Sequence, residues 1–123
     1  LSALITDLGL ENNVLLGGLR ENPFPILKRA QCFVLPSNHE GQPMVLLESM
    51  ALGKPIVATN IDGNRGVLKN GYGELVENSV EGLTNGLQKF LSGNCKHKRF
   101  DANTYMKNAI EMFRKNIDIP KSN

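Results

Sequence analysis

Two carboxylates, Glu40 and Glu48, stand eight positions apart within the stretch Pro36 to Thr59, PSNHEGQPMVLLESMALGKPIVAT. That stretch reads as the exit of a strand, a loop holding His39 and Glu40, a short helix, a turn and a second strand. Pro43 falls where a first helical residue would stand and Gly53 lies just past the last turn, the usual asymmetry of a helix. Between Met44 and Leu52 every residue except Glu48 and Ser49 is apolar, so this helix is covered on most sides. A carboxylate there is costly to desolvate unless donors meet it. Glu48 must therefore face a cleft, a partner or an edge.

The helical rise puts Glu48 about 7 Å along the axis from Pro43, with Glu40 on the far side of the helix start. Two acceptors thus bracket an amino terminus whose unpaired N–H groups favour an anion. Gly41, Met44 and Val45 are candidates, and Pro43 has no N–H to give. An anion flanked on both sides by hydroxyl groups fits that arrangement. A sugar nucleotide is one, with its diphosphate in the middle, a hexose at one end and a ribose at the other. Spacing alone leaves a plainer reading equally open: acids near a helix start complement its dipole, and Glu48 could be a solvated edge residue.

A longer string carries more. Glu40-Gly41-Gln42-Pro43-Met44-Val45-Leu46-Leu47-Glu48 resembles the E-x7-E motif of retaining glycosyltransferases of the GT-B fold, of the family 4 or glycosyl transferases group 1 type. Its surroundings resemble that family too: Asn13 to Gly18 followed by Asn22-Pro23, then Phe33 to Ser37, then Ala51 to Ala58. The resemblance spans residues 5–92. It implies that Glu40 is the catalytic-site acid accepting hydrogen bonds from the donor hexose, and that Glu48 accepts from the ribose. Backbone N–H groups from Gly41, Gln42, Met44 and Val45 would meet the hexose and diphosphate, where a side chain at Gly41 would block close approach. Gly18 and Leu19 match the region beside the nucleobase, although Gly17-Gly18 is equally an ordinary tight turn. His39 is a donor-site neighbour or simply an exposed loop histidine.

The implied substrate is a nucleoside-diphosphate sugar, UDP- or GDP-linked, with no cofactor. No spacing of His, Cys and carboxylates makes a metal site, and the family type needs none for its chemistry. Partners would be the sugar-nucleotide donor and a glycan, lipid or other acceptor reached through an N-terminal domain. The expected setting is cytoplasmic, and the full-length enzyme could work at the inner face of a membrane. The chain also departs from the family. Its usual glycine-x-x-glutamate after the third strand is here Gly63-Asn64-Arg65-Gly66. The family's diphosphate-holding Arg and Lys fall upstream of Leu1, and neither Lys28, Arg29, Lys54 nor Arg65 matches them. Lys54 is better read as a charge that complements a helix C-terminus. The fragment alone is accordingly expected to be inactive. The alternative is a non-catalytic nucleotide- or sugar-binding module on the same kind of sheet. A GT-B epimerase would need acids and histidines that do not occur together here.

The elements that must position these residues alternate. Leu1, Leu4, Ile5 and Leu8 form a helical pattern that opens without Met, the mark of a piece of something longer. Val14-Leu15-Leu16, Cys32 to Leu35, Pro55 to Ala58 and Gly73 to Val76 read as strands, the first three apolar enough to be covered on both faces. Pro23 to Ala30 is a short helix with Phe24, Ile26, Leu27 and Ala30 inward. Asp62 to Gly66 reads as a turn. Ser79 can cap a helix whose apolar stripe is Leu83, Leu87, Phe90 and Leu91, with Gly82 near its start. The fold class is α/β: a Rossmann-like parallel sheet flanked by helices, an incomplete GT-B C-terminal domain over 1–92, then a linker and helix over 93–123. Within 93–123, Lys96 to Arg99 is a short basic cluster, read as a solvated linker rather than a phosphate site. A last helix over 102–115 shows Met106, Ala109, Ile110 and Phe113 as its stripe, and 117–123 is a frayed tail.

Composition narrows the classes. With 123 residues, 41% hydrophobic and 21% charged, the chain can form one ordinary core. Its net charge of +2 argues for neither nucleic acid nor a membrane surface. No apolar run approaches a span, and no signal peptide opens the sequence. Cys32 and Cys95 make no C-x-x-C pair and read as buried free thiols.

Overall fold

The computed structural model describes residues 1–19, 21–41, 43–101, 103–104, 106–108 and 110–111. Gln42 among the site candidates lies outside the described residues, as do Ala109, Phe113 and the tail 117–123. Three strands, β1 (Phe33–Leu35), β2 (Ile56–Thr59) and β3 (Glu74–Val76), form a parallel sheet in the order β1-β2-β3. The register sets Phe33 against Ile56, Leu35 against Ala58, Val57 against Glu74 and Thr59 against Val76.

Side chains alternate along a strand, so each face of the sheet meets a different set of helices. Ile56 and Ala58 bury against Leu46 and Met50 of α3 (Met44–Ala51) and Leu68 of α4 (Asp62–Leu68). Val57 and Val76 face α5 (Val80–Leu91), which packs on β2 and β3. A Cβ at Gly86 would lie 2.7 Å from Val57 Cγ1 and 2.6 Å from Val76 Cγ1, so a glycine there lets α5 seat close. Helices thus cover both faces of a parallel sheet, the expected Rossmann-like α/β arrangement.

Several elements differ from the sequence reading. Val14 to Leu16 is not a strand, and Leu15 is 87% exposed. A parallel strand beside β1 needs its crossover helix docked on the sheet. Here α2 (Phe24–Arg29) buries none of its residues, and Phe24 and Ile26, expected inward, are exposed. The first helix does form, as α1 (Ser2–Asp7), likewise with no buried residue. Asp62 to Gly66 is the start of α4 rather than a turn. Ser79 caps α5 as expected, its Oγ accepting from Gly82 N–H at 3.0 Å. The packed face of α5 is centred on Gly82 and Gly86, however; of the expected stripe Leu83 and Phe90 are half-buried, while Leu87 and Leu91 are exposed. Described residues between 103 and 111 are helical, and Met106 and Ile110 are exposed.

Local chemistry accounts for the ends of α3. Pro43 is its N-cap, one position before the helix rather than its first residue. At the other end Gly53 takes φ +71°, its N–H donating to Met50 O at 2.9 Å and Lys54 N–H to Ser49 O at 3.0 Å. This is a Schellman closure, which favours glycine at the left-handed position. The Lys54 ammonium does not serve α3. It donates to Lys28 O at 2.5 Å, in the last turn of α2.

The segment after α5 is more than a solvated linker. Lys96 N–H donates to Glu74 Oε2 at 3.0 Å, Lys98 N–H donates to Gly71 O at 3.1 Å, and the Lys98 ammonium sits 5.3 Å from the Tyr72 ring centre. Glu74, its side chain 6% exposed, also accepts from Lys89 at 2.8 Å. Burial alone would raise its pKa. The bonds and charge of Lys89 and Lys96 outweigh that and hold it below the ordinary carboxylate value. Cys32 and Cys95 are free and half-buried rather than fully buried. Burial raises both thiol pKa values, and for Cys32 the nearby Cys95 adds to the rise.

Candidate functional site

In a parallel sheet the loops leaving the carboxyl ends of the strands, and the helix amino ends that follow them, form the natural crevice for a ligand. Here β1 runs through residues 36–43 into α3, and β2 runs through Asn60 and Ile61 into α4. The two crossovers meet at one point. A Cβ on Gly63, in the first turn of α4, would overlap the Glu40 carbonyl oxygen and lie 2.8 Å from its carbon and 3.0 Å from Gly41 O. Only a glycine permits that approach, and it fixes the loop that carries Glu40.

Glu40 is half-buried and accepts from Ser37 Oγ at 2.7 Å. Clefts open on both sides of its loop. One, about 320 Å³, is lined by Asn38, His39, Glu40, Ile61, Asp62 and Arg65. The other, about 300 Å³, runs between α3 and α4 and includes Gly41, Met44, Leu47, Gly63 and Gly66. Arg65 brings a guanidinium to the Glu40 cleft, where it pairs with Asp62 and donates to Asn60 Oδ1 at 3.0 Å. A Cβ at Gly66, the position where the sequence resemblance implies an acid, would meet open space.

The remaining candidates are spread around this centre. Gly41 and Met44 stand at the amino end of α3, and Val45 follows in its first turn, its carbonyl accepting from Ser49 Oγ at 2.8 Å. Glu48 is half-buried on α3, four residues beyond Met44 and so on the same side of the helix. Among the described residues no group hydrogen-bonds its carboxylate, and it lines neither cleft beside Glu40. Gly18 and Leu19 line a separate apolar cleft of about 370 Å³ with Ile26, Leu27 and Phe33. Gly18 also takes φ +64°, as a tight turn would. His39 is exposed.

Sequence reading missed Ser37, Thr59 and Asn64, and set Arg65 aside. Ser37 carried a signal, since a hydroxyl three residues before an acid in a loop can reach its carboxylate. The other three are legible only once α4 is known to be a helix set against the β1 loop. Among the described residues no group of three or more His, Cys, Asp and Glu could hold a metal ion, and no helix is long and apolar enough to cross a membrane.

Residues 1–107 match the family described as Glycosyl transferases group 1. The chain is 37% identical over 103 residues to the UDP-Gal:alpha-D-GlcNAc-diphosphoundecaprenol alpha-1,3-galactosyltransferase of Escherichia coli, covering 76% of this chain and 27% of that protein. It is 31% identical over 101 residues to the lipopolysaccharide core biosynthesis glycosyltransferase LpsE of Rhizobium meliloti, covering 80% and 30%. It is 30% identical over 99 residues to the lipopolysaccharide 1,6-galactosyltransferase of Salmonella typhimurium, covering 75% and 28%. The chain spans under a third of the length of these relatives.

Proposed function

Because the chain belongs to the glycosyl transferases group 1 family, we propose that it is the donor-binding portion of a retaining hexosyltransferase of the GT-B fold. Residues 1–92 would form the C-terminal, sugar-nucleotide domain of a longer enzyme and 93–123 its trailing linker and helix. The observation that carries this reading is the close approach of the Glu40 loop, which leads into α3, to the amino end of α4 at the carboxyl ends of β1 and β2, with open clefts on both sides. The Glu40 carboxylate accepts from hydroxyls of the donor hexose, and Glu48 accepts from the ribose. N–H groups of Gly41, Met44 and Val45 face the diphosphate. Their partial positive charge stabilises the leaving phosphate as the bond from the anomeric carbon breaks and the electron pair passes to the phosphate oxygen. The acceptor hydroxyl oxygen then bonds the anomeric carbon on the same face, and its proton passes to the departing diphosphate oxygen.

The donor is a UDP- or GDP-linked hexose, and no cofactor or metal takes part. One relative names UDP-Gal as donor and a diphosphoundecaprenol-linked sugar as acceptor. An acceptor of that kind would reach the site through the remainder of the enzyme, at the cytoplasmic face of a membrane. A second reading, a non-catalytic sugar- or nucleotide-binding module, draws on one observation: Gly66 stands where the resemblance implies an acid, beside open space. The test separates them. In the full-length protein Glu40→Gln and Glu48→Gln each lower transfer by about 10²-fold while the protein stays folded, the scale of lost hydrogen bonds to a charged group. Unchanged transfer by Glu40→Gln refutes the enzyme reading of this site, and turnover by the isolated 123-residue chain refutes its partial role.

A further inference from the structure

A glutamate in a loop has several rotamers, and catalysis or tight recognition needs one of them. The described structure shows how one is selected. Ser37 Oγ donates its single proton to Glu40 Oε1 at 2.7 Å, and among the described residues Oε2 has no partner, which leaves it for a ligand hydroxyl. Ser37 is itself held. Its carbonyl accepts from Thr59 Oγ1 at 2.5 Å, and Thr59, fully buried at the end of β2, in turn accepts from Asn64 Nδ2 at its carbonyl (3.0 Å) and its hydroxyl (3.3 Å). Asn64 is also fully buried, one residue from the Gly63 that packs on the Glu40 carbonyl. The backbone and the carboxylate of Glu40 are thus both referred to the same turn of α4.

We propose that Ser37, Thr59 and Asn64 are positioning residues that set the Glu40 carboxylate in one rotamer, with Oε2 presented to the donor hexose. This rests on the donor-site role of Glu40 above. Burial supports it: two fully buried polar side chains, with the Oδ1 of Asn64 left unpaired among the described residues, are costly to keep in a core. The Asn64 amide donates to Thr59, and the Thr59 hydroxyl donates in turn to the Ser37 carbonyl. A purely structural tie between the ends of β1 and β2 would need Thr59 Oγ1 to Ser37 O, but not the further bond from Ser37 to the carboxylate.

The test uses the full-length enzyme, its sugar-nucleotide donor, and free UDP or GDP according to the base that donor carries. Ser37→Ala lowers kcat/KM for the donor by about 10- to 100-fold, while the affinity for the free nucleoside diphosphate, which has no hexose, is unchanged. Ser37→Thr recovers most of the loss. Thr59→Val behaves as Ser37→Ala, and Thr59→Ser retains activity. If Thr59→Val fails to fold, the half-buried end of the relay, Ser37→Ala against Ser37→Thr, decides alone. Full activity in Ser37→Ala while Glu40→Gln is inactive overturns the relay and leaves the site reading standing. Equal loss of hexose-dependent and nucleotide-only binding overturns it as a fold defect. Full activity in Glu40→Gln removes the reading beneath both.

Discussion

Gly63→Ala adds one carbon where the amino end of α4 touches the loop that carries Glu40. The new Cβ would overlap the Glu40 carbonyl oxygen and stand 2.8 Å from its carbon, and both obstacles are backbone, which cannot swing aside. Ordinary contact asks for about 3.5 Å, so the loop must retreat by roughly 1 Å, or α4 must tilt away from it. Overpacking of this kind costs about 1–3 kcal/mol of stability, a fall of several degrees in melting temperature for a domain of this size. The effect on chemistry is larger. A displacement of about 1 Å at a group that orients substrate costs on the order of 10²-fold in rate. Transfer kinetics and thermal melting of the full-length enzyme read both effects. A variant with unaltered transfer and an unaltered melt would show that the β1 loop and α4 do not meet as described, and the positioning of Glu40 by α4 would fail with it.

Three further outcomes follow from packing and charge. Gly86→Ala, whose Cβ would press on Val57 and Val76, costs about 1–3 kcal/mol by thermal or urea denaturation and leaves the donor KM unchanged. Ser79→Ala removes the cap of α5 and costs about 1 kcal/mol in the same assay, with Ser79→Asp recovering it. Glu74 makes stability acid-sensitive. Its folded pKa lies below the ordinary 4.5, so its contribution is fully present above that pH and is lost as pH falls through the folded value. Glu74→Gln lowers the melting temperature at neutral pH and flattens that acid limb, which a melting series from pH 7 to pH 3 would read. An unchanged limb would mean the ion pair with Lys89 contributes nothing.

How much of this was legible beforehand follows the physics of each signal. Continuous apolar runs at Phe33 to Leu35 and Ile56 to Ala58 are strong evidence of strands covered on both faces, and they are strands here. Val14 to Leu16 carries the same composition but lies outside the sheet, because pairing depends on a docked crossover and composition does not report docking. Ser79 and Gly53 announce helix ends through bonds made within a few residues, so both were visible. The tertiary use of glycine was not. Gly63 and Gly66 read as turn residues, yet Gly63 lies in a helix and serves a close approach visible only with both segments in place. The same holds for Gly86, whose missing side chain lets α5 seat against Val57 and Val76. At the site, spacing alone left Glu40 and Glu48 open to a plainer reading, and only the resemblance of the longer string singled them out. The residues that hold Glu40, contributed by β2 and α4, are distant in sequence and carried no common pattern.

The most direct measurement is the structure of the full-length protein with its sugar-nucleotide donor or an unreactive analogue bound. The account predicts the diphosphate against the N–H groups at the amino end of α3, a hexose hydroxyl within hydrogen-bond distance of Glu40 Oε2, and the ribose hydroxyls on Glu48. A donor seated elsewhere, or one bound here with Glu40 turned away from the sugar, would contradict it.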